Sequence, residues 1–262
     1  MLGKGQAVTL FLHWPLILML SIVGLLLGSF LNVVIHRLPR GESIVFPPSH
    51  CPRCGARLGP LELIPVVSYI VQKGRCRHCR ASISWRYPLV ELVTAGLFLL
   101  FYLRYGPSPQ FLFYASLATL LVPVTFIDLE HQIIPNSLNL TGLAVGLPLL
   151  LWLRPLTWSQ ALLGLVAGGG LLLVVATLSW GGMGGGDVKL AGVLGFYLGW
   201  PLVLLALLLA FVAGALIGLF LLATRIKGRR DFIPFGPFLA LGAIITLLAG
   251  PEMVVWYLSH LR

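Results

Sequence analysis

Residues 201–223 read "PLVLLALLLAFVAGALIGLFLLA", and no charged side chain interrupts them. A helix needs about 20 apolar residues to cross the hydrocarbon core of a bilayer. The rest of the chain continues this pattern, since 58% of its 262 residues are hydrophobic and only 10% are charged. A soluble domain of this length does not need so apolar a composition. The sequence therefore predicts a helical membrane protein.

Eight apolar segments are candidates for membrane crossings, at about 14–36, 88–104, 111–127, 138–153, 160–180, 188–200, 201–223 and 236–259. The sixth is short and only Trp200-Pro201 separates it from the seventh, so a re-entrant sixth segment is the alternative. The first lacks the small-residue cleavage pattern of a secretory signal, which favours a retained helix. The predicted fold is an all-α polytopic membrane protein with about eight transmembrane helices.

The distribution of basic residues predicts the orientation. With eight crossings, only four of the 18 Lys and Arg residues lie on the side that holds both termini: Lys4, Arg104, Arg154 and Arg262. The other fourteen share a side with residues 37–87, and loops rich in Lys and Arg face the cytoplasm. Both termini are therefore expected outside. Seven crossings would move the last basic cluster outside and weaken this asymmetry.

The net charge of +10 has an explanation in the membrane itself. The basic side chains flank apolar segments, where they face anionic lipid headgroups. Membrane lipids are thus the expected partners of this charge, and no nucleic acid is needed to account for it.

One small insertion, residues 37–87, follows the first helix and is predicted to lie in the cytoplasm. About fifty residues cannot bury a sufficient core without a staple. The sequences "CPRCG" and "CRHCR" place two C-x-x-C pairs 21 residues apart, at Cys51, Cys54, Cys76 and Cys79. Four thiolates in two close pairs are typical of a closed, structural Zn²⁺ site.

Two other readings of the cysteines stay open. Two disulfides would staple the insertion equally well, although the cytoplasm is reducing. A redox-active C-x-x-C pair would require a βαβ context that the sequence lacks. His50 and His78 flank the pairs, and we interpret them as loop residues because four sulfurs complete a zinc site.

Two aspartates are the strongest candidates for chemistry, because ionisable groups at membrane depth are costly. Asp128 ends the third segment in "TFIDLEHQIIPNSL", and Asp187 opens the sixth in "WGGMGGGDVKLAG", Trp180–Gly192. The eight-helix topology places both at the cytoplasmic membrane surface. Two carboxylates at one depth can share a proton, so that one activates water while the other protonates a scissile peptide.

The glycines before Asp187 suit such a site. Without β-carbons, Gly184, Gly185 and Gly186 would let a substrate backbone approach the carboxylate and would adopt left-handed torsions. The alternative is a flexible turn with an acidic residue at a helix N-terminus. For Asp128, the alternative is a polar stop at the lipid boundary.

Three other ionisable residues lie near these positions. His131 shares a helix face with Asp128 and is a candidate supporting residue, whereas Glu130 faces elsewhere and is expected in solvent. Glu91, in "YPLVELVTAG", is expected to bond to a neighbouring helix.

Several segments together resemble the type IV prepilin peptidase family of membrane aspartic peptidases: "GSFLNVVIHRLPRGESIVFPPSHCPRCG", "IPVVSYI", "YPLVELVTAG", "IDLEHQIIPN", "GMGGGDVKLAGVLGF" and "IPFGPFLALG". The family signature is a G-x-G-D aspartate, matched here by Asp187, with a second aspartate ahead of an Ile-Pro, matched by Asp128. The resemblance implies that these two form the catalytic pair. It also implies that the four cysteines are the family's zinc-type knuckles.

The resemblance further implies the substrates and a second reaction. Family members cut type IV prepilins and type II secretion pseudopilins after a Gly, between a basic leader and a hydrophobic helix, in the bacterial inner membrane. They then methylate the new N-terminus with S-adenosylmethionine. No methyltransferase fold is visible in the residues, so the methyl-donor site is expected only loosely, at the insertion and the adjoining helix ends.

These expectations define three domains: a first transmembrane helix (1–36), a cytoplasmic four-cysteine zinc-binding insertion (37–87) and a membrane aspartic peptidase domain (88–262). Two rival functions remain. A proton-coupled transporter would use both aspartates as proton relays, but such proteins place carboxylates near the midplane on broken helices. A membrane scaffold presenting a zinc knuckle would leave both aspartates without a role.

Overall fold

The computed structural model describes residues 14–179, 182–228 and 231–260. Lys4, Arg229, Arg230 and Arg262, which entered the orientation argument, lie outside these ranges. The chain forms two compact units, Met1–Leu103 and Arg104–Arg262. Within the described ranges the regular structure is helical, and the β-type pairing consists of isolated bridges.

The first unit contains helix α1 (Trp14–Arg37), the short helix α2 (Val67–Val71) and most of helix α3 (Arg86–Tyr105), with single turns of 3₁₀ helix at Leu38–Arg40 and Pro60–Leu63. The backbones of helices α1 and α3 pack directly against each other at two glycines of α1. A β-carbon on Gly24 would lie 2.6 Å from Ala95 Cα, and one on Gly28 would lie 2.6 Å from Glu91 Cα. Small residues four apart permit such close helix packing in membranes.

The second unit contains six helices: α4 (Pro109–His131), α5 (Asn136–Leu153), α6 (Trp158–Leu178), α7 (Gly185–Leu198), α8 (Leu202–Ala223) and α9 (Gly236–His260). Two of them begin with side-chain caps, as Ser108 accepts from the amide of Phe111 and Thr157 accepts from the amide of Gln160. These caps satisfy amides that a helix start leaves unpaired.

Seven of the described helices are long and apolar enough to cross a membrane, all except α2 and α7. The sixth predicted crossing is not among these seven helices. It corresponds to α7, which has 14 residues and is about 21 Å long, whereas the hydrocarbon core is about 30 Å thick. Every residue from Leu190 to Leu198 is buried. The segment is therefore a helix enclosed by its neighbours, and the all-α polytopic fold is confirmed.

The closest packing in the second unit joins α6 to α7. A β-carbon on Gly195 would lie 1.9 Å from the carbonyl oxygen of Gly164, and one on Gly168 would lie 2.3 Å from that of Ala191. Helix α7 also packs on α5, α8 and α9. These contacts fix its N-terminal turn, which carries Asp187.

Candidate active site and metal centre

Asp128 occupies the last full turn of α4 and is buried. Its Oδ2 accepts a hydrogen bond of 2.7 Å from the backbone amide of Gly236, the first residue of α9. The first amides of a helix have no partner within the helix. The N-terminus of α9 therefore holds one oxygen of this carboxylate in place.

Asp187 lies in the first turn of α7 and is half-buried. Gly184 caps this helix, and the Asp187 amide donates to the Gly184 carbonyl over 3.1 Å. A carboxylate in a first helical turn interacts favourably with the helix dipole. The sequence expectation that Asp187 opens the sixth helical segment is confirmed.

Ile134, in the short link between α4 and α5, lies close to Gly186, which precedes Asp187, and to Gly236, which bonds Asp128. A β-carbon on Gly186 would lie 3.0 Å from Ile134 Cβ, and one on Gly236 would lie 3.2 Å from Ile134 Cδ1. The carboxylates are near enough to interact electrostatically. The ends of three helices, α4, α7 and α9, thus meet with two acidic groups between them.

One expectation for the glycine run is wrong. Gly184 is extended, with φ −72° and ψ 143°, while Gly185 and Gly186 begin α7, so none of the three has a left-handed torsion. The absence of a side chain at Gly184 leaves room for the Asp187 carboxylate, and at Gly185 it leaves open space. A β-carbon on Gly184 would lie 3.1 Å from Asp187 Oδ2, whereas one on Gly185 would meet nothing within 4 Å.

Two further polar residues, His131 and Lys189, lie near the aspartates in the sequence. His131 is exposed on the last turn of α4, and among the described residues no hydrogen bond joins it to Asp128, so its supporting role stays a prediction. Lys189 donates to Asn136 Oδ1 over 2.8 Å. Its side chain therefore links the starts of α7 and α5.

The four cysteines of the insertion form one cluster, here called the cysteine cage: Cys51, Cys54, Cys76 and Cys79. All four sulfur atoms lie within 4.8 Å of one another, and all four thiols are free. Zinc bound tetrahedrally at about 2.3 Å from each sulfur requires a cluster of this size. The arrangement fits a metal ion and does not support the two-disulfide alternative.

The two halves of the cysteine cage repeat one backbone pattern. In the first half, the Cys51 amide donates to the Ala56 carbonyl, and the Cys51 carbonyl accepts from the Gly55 amide. In the second half, the Cys76 amide donates to the Ala81 carbonyl, and the Cys76 carbonyl accepts from the Arg80 amide. Backbone amides, first that of Cys54, point at the Cys51 sulfur and lower the pKa of this thiol to about 7. A thiolate is the form that binds metal.

The residues around the cage bear out part of the sequence reading. His50 is exposed, its Nδ1 lies 3.0 Å from the Pro48 carbonyl oxygen, and His78 Nε2 lies 3.9 Å from Glu62 Oε2. Neither belongs to the cluster of sulfur ligands. Glu91 of α3 is buried, accepts from the amide of Val66 over 2.7 Å and interacts with Ser29 of the neighbouring helix α1.

Comparison with known proteins assigns the family. Residues 22–105 match the model of the bacterial peptidase A24 N-terminal domain, and residues 112–219 match the model of the type IV leader peptidase family. A "prepilin leader peptidase/N-methyltransferase" of Bacillus subtilis is 39% identical over 244 residues, covering 92% of this chain and 97% of that protein. The chain belongs to the type IV leader peptidase family.

Two further leader peptidases show how much of the chain this likeness covers. Proteins of the same description from Aeromonas salmonicida and Pseudomonas putida are 37% and 36% identical, covering 95% and 92% of this chain and 96% and 92% of the relatives. No solved structure gives a significant match.

Two residues of this leader peptidase's candidate site, Gly236 and Ile134, are not apparent from the sequence. The amide of Gly236 bonds Asp128, and Ile134 lies close to both Gly186 and Gly236, but neither residue has a side chain with a functional group. The segment "IPFGPFLALG" contains Gly236 and entered only as part of the resemblance. Proximity across 108 residues could not be derived from one sequence.

Proposed function

We propose that this chain is a membrane aspartic endopeptidase that cleaves the leader from type IV prepilins and pseudopilins after a Gly, with Asp128 and Asp187 as its catalytic pair. The observation that carries the proposal is the meeting of these two carboxylates where α4, α7 and α9 end or begin. The family assignment and the names of the relatives support the substrate class.

The chemistry requires one carboxylate and one carboxylic acid. The ionised aspartate takes a proton from water, and the water oxygen attacks the carbonyl carbon of the scissile peptide. The protonated aspartate then donates its proton to the peptide nitrogen as the carbon–nitrogen bond breaks. The products are a leader ending in a carboxylate and a mature chain with a free amine.

The surrounding residues position this pair. The amide of Gly236 orients Asp128, and the first turn of α7 orients Asp187. Gly185 leaves open space at the start of α7, two residues before Asp187, and we propose that an extended substrate backbone lies there. Such positioning matters because a misplacement of about 1 Å can reduce a rate about 10²-fold.

The location proposed is the bacterial cytoplasmic membrane, with both termini outside and the active site facing the cytoplasm. The seven apolar helices support the membrane location. The excess of basic residues beside the insertion supports the orientation, which requires the enclosed helix α7 to complete an eighth crossing. This orientation suits a substrate whose basic leader remains in the cytoplasm while its hydrophobic helix lies in the bilayer.

We extend the proposal to methylation of the new N-terminus, as the relatives' names suggest. S-adenosylmethionine supplies a methyl group that forms a bond to the free amine nitrogen, with release of a proton and S-adenosylhomocysteine. The cysteine cage is proposed to hold one structural Zn²⁺, because its four thiols fit a closed sulfur site.

Incubation of the purified protein with a synthetic prepilin, with and without S-adenosylmethionine, tests this function by mass spectrometry. We expect cleavage after the Gly in both samples and a gain of one methyl group only with the methyl donor. An intact substrate in both samples would contradict the peptidase assignment and favour the proton-coupled transporter or the scaffold.

A further inference from the structure

Helix α7 packs against one face of α5, which carries Asn139, Gly142 and Gly146 at a spacing of three and four residues. All three are buried. A β-carbon on Gly142 would lie 3.0 Å from Val193 Cγ1, and one on Gly146 would lie 2.7 Å from Tyr197 Cζ. The two glycines therefore let α7 approach closely, and Asn139 adds a polar side chain to the same face.

The side chain of Asn139 reaches the peptide that precedes Asp187. Asn139 is 5% exposed, and its Nδ2 donates to the carbonyl oxygen of Gly186 over 3.4 Å. This carbonyl and the Asp187 amide belong to one planar peptide unit. The amide donates in turn to the Gly184 carbonyl over 3.1 Å. The peptide before Asp187 is therefore held at both ends, through its oxygen from α5 and through its nitrogen from the helix cap.

The start of α7 has little stiffness of its own. Three consecutive glycines, residues 184–186, lead into it, and glycine has the greatest backbone freedom and a low helix propensity. Lys189 also bonds to Asn136 from the first turn of α5, but both side chains are exposed, where water competes for the bond. The buried bond from Asn139 is protected from this competition.

The other atom of the Asn139 amide indicates that stability does not account for this residue. Its Oδ1 is buried without a hydrogen-bond partner among the described residues. A buried acceptor in this state lowers stability, and an apolar side chain would avoid that cost. The Gly186 carbonyl would keep the bond that a helical carbonyl makes to the amide four residues on. An asparagine here therefore has a cost for the fold that a role at the site would explain.

We propose that Asn139 is a positioning residue for peptide cleavage, which fixes the direction of Asp187 by holding the Gly186 carbonyl; this inference rests on the proposed function. The residue acts through Asp187 and not on the substrate. Its loss should therefore slow the chemical step and leave substrate binding unchanged.

Steady-state cleavage of a synthetic prepilin by the purified full chain tests this role, with Asn139→Ala as the variant and Tyr197→Phe as the matched control. Tyr197 is buried at the other end of the same helix contact, and its hydroxyl donates to the Gly142 carbonyl over 3.0 Å. We expect Asn139→Ala to lower kcat at least about tenfold with KM within about twofold of wild type. Its unfolding temperature should not fall, because alanine favours the helix and removes the unpaired acceptor.

Tyr197→Phe should behave in the opposite way. Its kcat should stay within about twofold of wild type, since the lost bond lies far from Asp187 along α7. Its unfolding temperature should fall by about 2–4 °C, because a buried hydrogen bond is lost.

Hydrogen–deuterium exchange separates a local effect from a global one and needs no substrate. Residues 184–190 should exchange faster in Asn139→Ala and not in Tyr197→Phe, because only the first variant releases the start of α7. If alanine lowers the unfolding temperature, Asn139→Leu, which keeps a branched side chain of the same length, should give the same exchange and kcat results.

Three outcomes would overturn the positioning role and leave the proposed function standing: a wild-type kcat in Asn139→Ala, a rise in KM in place of the fall in kcat, or unchanged exchange in residues 184–190. A wild type that does not cleave prepilin would overturn the proposed function instead. The exchange comparison would then still decide whether Asn139 holds the start of α7.

Discussion

Gly236 has no side chain where Asp128 needs the space. A β-carbon there would lie 2.8 Å from Asp128 Oδ2, the oxygen that the Gly236 amide holds. Gly236→Ala should therefore displace the carboxylate and reduce the rate of prepilin cleavage about 10²-fold. The measurement is a single-turnover cleavage assay, with thermal unfolding in detergent to show that the variant remains folded. Wild-type rates in Gly236→Ala would mean that the position of Asp128 does not limit the chemistry.

Gly185 separates the two explanations of the glycine run. A substitution at Gly186 would not separate them, because a β-carbon there would lie 3.0 Å from Ile134 Cβ and its effect would mix packing with catalysis. Gly185→Ala meets no protein atom within 4 Å and lies in the first turn of α7, where alanine favours the helix. We expect cleavage at saturating substrate to fall at least tenfold with unchanged thermal stability, because the added β-carbon occupies space that the substrate backbone uses.

Gly170→Ala is the control for both glycine variants, since a β-carbon there also meets nothing within 4 Å and the residue lies within α6. It should leave cleavage unchanged. If Gly185→Ala behaves like Gly170→Ala, the glycines serve only the start of the helix.

The sequence could identify residues whose side chains are chemically unusual in their surroundings, but not residues that act through a distant contact. Asp128 and Asp187 could be selected because charged groups are rare among apolar segments. The role of Gly236 could not be, since it depends on a contact between α4 and the start of α9. The expected left-handed torsions were wrong because the glycines belong to an extended cap and a helical turn.

At the scale of elements, the crossing of α6 and α7 depends on two facing glycines. A β-carbon on Gly195 would lie 1.9 Å from the backbone oxygen of Gly164, and backbone cannot move aside as a flexible side chain can. Gly195→Ala should therefore lower the free energy of unfolding by about 1–3 kcal/mol, measured by chemical denaturation in mixed micelles. A variant as stable as Gly170→Ala would contradict this close packing.

The cysteine cage should lose its metal when one ligand is removed. Cys76→Ser replaces a buried thiol, and the remaining three sulfurs leave the tetrahedral site incomplete. We expect about one zinc per chain in the wild type and little in the variant by elemental analysis. Residues 37–87 should also be cut faster by protease, because the small insertion loses its staple. Wild-type protein purified without chelators and found free of zinc would contradict the metal assignment.

Most helices could be predicted from runs of apolar residues, and their observed ends differ from the expected ones by a few residues. The position of helix α7 could be predicted from the sequence, but not the fact that it is a short helix enclosed by its neighbours. Its apolar residues resemble those of a spanning segment, since burial in a protein and burial in lipid select the same side chains. Its enclosure depends on packing among α5, α6, α8 and α9.

The two compact units of the whole molecule hold different candidate sites. The first unit holds the cysteine cage, and the second holds both aspartates. The two family models follow the same division, matching residues 22–105 and 112–219. The three-domain division expected from the sequence remains a prediction, as does the orientation in the membrane.

The proposed function requires Asp128 and Asp187 to act as one catalytic pair. The most direct test measures cleavage of a synthetic prepilin by Asp128→Asn, Asp187→Asn and the double variant, each purified and shown to be folded by thermal unfolding. We expect each single variant to lose at least about 10²-fold in rate and the double variant to be little worse, because one aspartate cannot complete the reaction alone. A folded single variant that keeps more than about a hundredth of the wild-type rate would contradict this pairing.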